Sequence, residues 1–199
     1  MDLTELQLDA LREMANIGSG NAATALAAML GRPVDLSVPS ASALPLADAV
    51  DAVGDVSAEV AAVAIPVFGD IGATVLLTFK PEHAATLCGF LGVFGDPEME
   101  LSALQEIGNI LGSAYINAMG SMCGIEMEPA PPMAARDMLG AIVATVLATA
   151  ATSSDLALLL DSSMMVEGAE CEFGFLFVPD HNGVPELLGR LGLWEQDAA

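Results

Sequence analysis

Two short stretches hold the residues best placed for chemistry. Asp9, Glu13 and Asn16 are followed, after a gap of 22 residues, by Pro39. Ser102, Glu106 and Asn109 are followed, after the same gap of 22 residues, by Pro132. The two sets are offset by 93 residues. Spacing of i, i+4 and i+7 puts three side chains on one stripe of an α-helix. A carboxylate accepts hydrogen bonds and pairs with cations, whereas a carboxamide both donates and accepts. Neither stretch pairs a nucleophile with a base, and no nucleophile triad is evident elsewhere. A polar stripe is ordinarily the solvated face of an amphipathic helix. The recurrence argues for more. Asn is a mediocre helix former, yet it stands mid-helix twice, three residues after Glu. The gap to Pro is held across stretches that otherwise differ. Duplication without selection for function is also able to preserve such a pattern.

The elements that must carry these residues follow from periodicity. Residues 4–30 read as a helix, with Thr4 as N-cap and Leu6, Leu8, Leu11, Met14 and Ile17 at helical spacing. Gly31-Arg32-Pro33 stops it. Residues 34–38 read as a short strand, and residues 40–55 as an acidic loop with a helical turn. Residues 59–68 and 71–79 flank Gly69-Asp70 as a hairpin. Pro81 opens a helix to about Leu91. Gly92 to Pro97 is the midpoint boundary. Residues 99–121 then read as a second long helix, 124–128 as a short strand and 137–151 as an Ala-rich helix. Residues 154–166 and 171–178 flank Glu167-Gly168 as a second hairpin. A closing helix over 185–193 leads to a frayed acidic tail after Trp194.

One domain of two repeats, about 1–95 and 96–199, is therefore expected. The fold class is α/β in the broad α+β sense. It has a pseudo-two-fold, with the long helices packed on the faces of a largely antiparallel sheet. Pro39 and Pro132 are expected to fix a strand end beneath each helix. Gly18, Gly20 and Gly112 lie inside the helices, where each costs about 1 kcal/mol relative to Ala. Close packing is one reason to keep them, and a phosphate cradle is the other.

Composition narrows the function. There are 27 Asp and Glu against 5 Lys and Arg, a formal charge of -22. Such a surface repels nucleic-acid phosphates and anionic lipids. It suits solubility in a salt-rich cytoplasm, or attraction to a basic partner. Cys88, Cys123 and Cys171 form no CxxC pair and the histidines are His83 and His181 only, which argues against zinc. Met1-Asp2 leads straight into amphipathic sequence, and the longest apolar run, Met138 to Ala151, is too short to span a bilayer. A cytoplasmic, thiol-reduced protein without membrane insertion is expected.

The pattern resembles that of the CheC/CheX/FliY family of chemotaxis phosphatases. Glu13-Met-Ala-Asn16-Ile-Gly-Ser-Gly-Asn-Ala-Ala-Thr-Ala-Leu26 looks like the CheC signature, and the two intact copies are most similar to the CheC type. The resemblance covers the whole chain and implies a CheC-like fold that hydrolyses the aspartyl phosphate of a CheY-type response regulator. By the resemblance, Asn16 and Asn109 orient the attacking water. Glu13 and Glu106 pair with the regulator's lysine, and Asp9 and Ser102 assist docking. No cofactor is bound by the chain, and Mg2+ belongs to the phosphorylated partner. The receptor deamidase CheD is a further implied partner, through the segment around 137–150, which the residues alone read as a packed core helix. The alternative is a non-catalytic adaptor for CheY or CheD; a flagellar switch component is disfavoured. One chain already carries two sites, so a monomer is expected.

Overall fold

The structure is a computed structural model that describes residues 3–150, 156–180 and 183–194. The start of the second hairpin at 154–155, His181 and the acidic tail after Trp194 lie outside the described residues. In chain order the elements are α1 (Glu5–Leu30), β1 (Val34–Pro45), α2 (Leu46–Val53), β2 (Glu59–Gly69), β3 (Ala73–Phe79) and α3 (Pro81–Phe90). The second half supplies α4 (Pro97–Cys123), β4 (Met127–Pro129), β5 (Met133–Met138), α5 (Leu139–Ala150), β6 (Leu156–Val166), β7 (Ala169–Glu170), β8 (Phe173–Pro179) and α6 (Gly183–Arg190).

Local chemistry sets the ends of the two long helices. The Thr4 hydroxyl accepts from the Gln7 N–H at 3.4 Å, and the Gln7 carboxamide accepts from the Thr4 N–H at 2.8 Å. This reciprocal pair closes two orphan donors at the start of α1. At α4 the Asp96 carboxylate accepts from the N–H groups of Glu98 and Met99, and Pro97 takes the first helical position. Both helices stop at a glycine in the left-handed region, Gly31 and Gly124, each at φ 64.

The strands join one antiparallel sheet in the order β1-β6-β8-β3-β2-β4, with β5 also on β2 and β7 on β6. Its centre is the β3–β8 pair, where Leu76 lies opposite Leu176. Outward from that pair the order reads the same in both directions. Edge strand β1 of the first half lies on β6 of the second, and β4 and β5 of the second half lie on β2 of the first. Each half thus lends its edge strand to the other.

The larger core fills one face, where α1, α3, α4 and α6 cover Val63, Ile65, Leu77, Phe79, Phe175 and Phe177. The smaller core fills the opposite face under α2 and α5, around Val60, Leu76, Leu176 and Val178. Both long helices therefore share one face of the sheet. Cys88, Cys123 and Cys171 are free and buried. No helix of the described residues is long and apolar enough to cross a membrane.

Four segments differ from the sequence expectation. Residues 133–138 form β5 on β2, so the helix expected over 137–151 begins only at Leu139. The strand expected over 34–38 continues to Pro45, because its pairing with β6 shifts between Ser37 and Ser40 and then resumes. The expected loop over 40–55 is the end of that strand plus α2. Its Leu46, Ala49, Val50 and Val53 meet the smaller core at helical spacing while Asp48 and Asp51 face solvent. The expected strand at 124–128 shrinks to Met127–Pro129, since Gly124 is taken by the helix cap.

Candidate functional site: two Glu–Asn stripes on paired helices

The first stripe runs along α1. That helix buries Leu11, Met14, Ala15, Gly18, Ala22 and Leu26, which turns Asp9, Glu13 and Asn16 outward, and all three are exposed. Arg12 lies among them. Its guanidinium is 3.0 Å from the Asp9 carboxylate and 3.7 Å from that of Glu5. Among the described residues Glu13 and Asn16 have no hydrogen-bond or ion-pair partner.

The second stripe runs along α4, which buries Leu104, Ile107, Gly108, Leu111, Gly112 and Tyr115. Ser102 and Glu106 are exposed and Asn109 is half-buried. The Ser102 hydroxyl donates back to the Glu98 carbonyl at 2.9 Å. Glu106 has no partner among the described residues. The Asn109 carboxamide oxygen accepts from the Ser113 hydroxyl at 3.4 Å. Where the first copy has Arg12, the second has Gln105, whose amide donates to the Pro132 carbonyl at 2.7 Å.

The two stripes are therefore alike in Glu and Asn and different in their surroundings. At both, the first motif residue is engaged within its own helix. Leu6 and Ile17, which count in the apolar spacing of α1, are exposed to 65% and 41%. Met99, the counterpart of Leu6, is exposed to 57%. Large apolar side chains thus flank the first turn of both stripes.

The prolines are not at strand ends of the kind expected. Pro39 falls where the β1 ladder shifts, between Ser37 and Ser40. Pro132 falls in the gap between β4 and β5. Proline has no N–H to give to a ladder, so an interruption is where a strand tolerates it. The same break recurs in both edge strands, and at Pro132 it frees the carbonyl that Gln105 holds.

Close packing sets the helices that carry the stripes. A Cβ on Gly18 would lie 2.9 Å from the Tyr115 Cα, so the backbones of α1 and α4 meet there. Beside this crossing the Ser19 and Tyr115 hydroxyls are 2.7 Å apart, and the Ser19 hydroxyl also donates to the Ala15 carbonyl at 2.9 Å. Burial pushes the Tyr115 phenol above its ordinary pKa, against the opposing effect of the Ser19 bond. A Cβ on Gly108 would strike Val63, and one on Gly112 would strike Ile65. Gly18 and Gly112 are thus packing glycines buried inside helices, where no loop forms a phosphate cradle. Gly20 has open space around it.

Sequence reasoning missed Tyr115, Ser19, Gln105 and Ser113. Only Ser113 had a visible signal, since it follows Asn109 by four residues on the same helix face. A cavity of about 540 Å3 lies on the other side of the sheet, lined among others by Asp55, Glu59, Lys80, Glu82, Asp161 and Glu172. No motif residue lines it. The stripes are open helix surfaces, a geometry that meets another macromolecule more readily than it encloses a small ligand.

The CheC-like family model matches residues 6–42 and 99–134, the two spans that run through each motif and past its proline. The chain is 30% identical over 200 residues to the CheY-P phosphatase CheC of Bacillus subtilis (strain 168), an alignment covering 96% of each protein. It is 28% identical over 138 residues to the flagellar motor switch phosphatase FliY of the same organism, covering 66% of this chain and 36% of that one. The crystal structure of Thermotoga maritima FliY shares the fold, with a TM-score of 0.79 at 20% identity, covering 98% of this chain and 100% of the other. A match of 30% identity over 96% of both chains, beside a family model that falls on the two motif spans, means that the chain belongs to the CheC-like family.

Proposed function

We propose that this chain hydrolyses the aspartyl phosphate of a CheY-type response regulator, using Glu13 with Asn16 and Glu106 with Asn109 as two sites. The observation that carries this reading is the pair of outward-facing Glu–Asn stripes, within a chain 30% identical to a CheY-P phosphatase over 96% of its length.

An acyl phosphate is already labile, so the chemistry asks little of the protein. The attacking water forms a new P–O bond, the bond from phosphorus to the aspartyl oxygen breaks, and inorganic phosphate and a free carboxylate result. The water's proton leaves with the phosphate. Mg2+ and a lysine belong to the regulator and neutralise the phosphoryl oxygens; no cofactor of this chain takes part. What remains is to hold the water in line, which removes an entropic cost. A carboxamide suits this because its NH2 donates while its oxygen accepts. Asn16 and Asn109 take that role. Glu13 and Glu106, unpaired on their helices, engage the regulator's lysine and dock the stripe. Asp9 and Ser102 assist from one turn earlier. Pro39 and Pro132 serve architecture, by breaking the edge strands beside the helices.

We assign the two repeats, about 1–95 and 96–199, to one structural unit acting as a cytoplasmic monomer. CheD remains a proposed partner through α5. That helix buries Leu139, Val143, Val146 and Leu147, and exposes Ala141, Ala144, Thr145 and Ala148, which leaves a mild apolar face toward solvent.

Phosphate release from a phosphorylated CheY-type regulator tests the reading. The wild type accelerates it, Asn16→Ala and Asn109→Ala each abolish the acceleration at the altered site while the other site keeps working, and the double variant leaves the regulator's own rate. Full activity in the double variant would sink the site assignment. Co-elution with the regulator without acceleration would make the chain an adaptor. Added CheD should bind and raise the rate; no complex at micromolar concentration removes that partner.

A further inference from the structure

The two sites differ four residues after each Asn. The second copy has Ser113 and the first has Gly20, positions related by the same offset of 93 residues. A serine inside a helix usually returns its hydroxyl to the carbonyl four residues back, as Ser19 and Ser102 do here. Ser113 instead donates to the side-chain oxygen of Asn109. One wall of that Asn is also covered, because Asn109 is half-buried while Asn16 is exposed. One turn before Asn109, Gln105 is drawn away to the Pro132 carbonyl, and among the described residues the Asn109 carboxamide has Ser113 as its side-chain partner. At the first site a Cβ on Gly20 would meet nothing within 4 Å, so Asn16 is free to rotate.

We infer that Ser113 is a positioning residue that pre-orients the Asn109 carboxamide, and that its replacement by glycine at position 20 leaves the first site without this device. The inference rests on the phosphatase reading above. A carboxamide oxygen has two lone pairs. Ser113 occupies one, and the other, with the NH2 group, is left to hold a water. Tethering the side chain reduces the conformational freedom lost when the water is brought in line. The effect belongs in kcat, because Ser113 lies behind the Asn relative to the docking Glu and adds nothing to regulator binding. The second site is therefore the faster one.

The test reads phosphate release from a phosphorylated CheY-type regulator one site at a time. In the Asn16→Ala background, Ser113→Ala lowers kcat about three- to tenfold with KM within about twofold, and Ser113→Thr, which keeps the hydroxyl, restores at least about half of the lost rate. In the Asn109→Ala background, Gly20→Ser raises kcat by a similar factor, since the added side chain has room. An unchanged kcat in Ser113→Ala, with its Asn16→Ala parent active, overturns the Ser113 assignment and leaves the phosphatase reading standing. A change confined to KM overturns it too, because that is a docking effect. A wild type that does not accelerate phosphate release overturns both.

Discussion

At the scale of single residues, the shared helix face of Glu13 with Asn16, and of Glu106 with Asn109, was legible because a helix turns fixed spacing into one stripe. The Ser19–Tyr115 contact was not, since it joins positions 96 apart whose only sign is a serine in an Ala-rich helix and the one tyrosine of the chain. Burial has its own consequence for the thiols. It pushes the Cys171 thiol from 9.0 up to about 11, with the Glu170 carboxylate adding to the effect, and it raises Cys88 and Cys123 in the same sense. Between pH 9 and 11 the folded chain keeps a proton on Cys171 that the unfolded chain has lost. Stability therefore falls as pH rises through that window and is unaffected by this group below it. Urea midpoints measured from pH 8 to 11 should decline above pH 9, and at pH 8 a thiol reagent should label the three cysteines far more slowly in the native protein than in urea. Rapid native labelling would show that these thiols are not buried.

At the scale of elements, the crossing of α1 and α4 makes opposite predictions for two glycines two residues apart. Gly18→Ala puts a methyl group against the Tyr115 backbone, so the helices must separate. The overpacking cost, about 1–3 kcal/mol, exceeds the gain of about 1 kcal/mol in helix propensity, and a modest net loss is expected. Gly20→Ala meets open space and should stabilise by about 0.5–1 kcal/mol. Urea unfolding of the two variants compares them directly, and equal stabilisation would remove the close crossing. The same elements show what sequence can and cannot display. The hairpins at Gly69 and Glu167-Gly168 and the helix end at Gly31 were readable because turn and cap geometry demand particular residues, whereas Gly124, taken for the start of a strand, caps α4. The helix α2 was hidden, since eight residues of Leu, Ala, Val and Asp behind a Ser- and Pro-rich stretch carry little local signal. Its helicity comes from packing on the smaller core.

At the scale of the whole molecule, carboxylates dominate. Arg12, Arg32, Arg136 and Arg190 each already sit beside a carboxylate, Arg136 at 2.8 Å from Glu100 and Arg32 on Glu167 while stacked 5.1 Å over the Phe90 ring. The remaining carboxylates far outnumber these pairs, and their mutual repulsion opposes compaction. Salt should relieve it. Raising NaCl from about 0.1 to 1 M shortens the screening length from roughly 10 to 3 Å, and should raise the thermal midpoint on the order of 2–8 °C. A midpoint that falls or stays constant would mean that the surface ion pairs matter more than the repulsion. Composition made this legible before any fold was known. The strand order was not legible, because a repeat reveals which segments correspond and is silent on whose edge strand meets whose hairpin.

That exchange of edge strands bears on how such a chain is held together. Neither half contains a finished sheet, since among the described residues β1 finds its ladder on β6 alone, and β4 and β5 find theirs on β2 alone. The stretch from Leu91 to Asp96 that joins the halves contributes no strand. Its role is that of a tether, raising the effective concentration of one half about the other. The molecule is in this sense a domain-swapped dimer written as one chain. Two separate chains of half the length, obeying the same pairing with Leu76 and Leu176 at the dyad, would arrive at the same sheet.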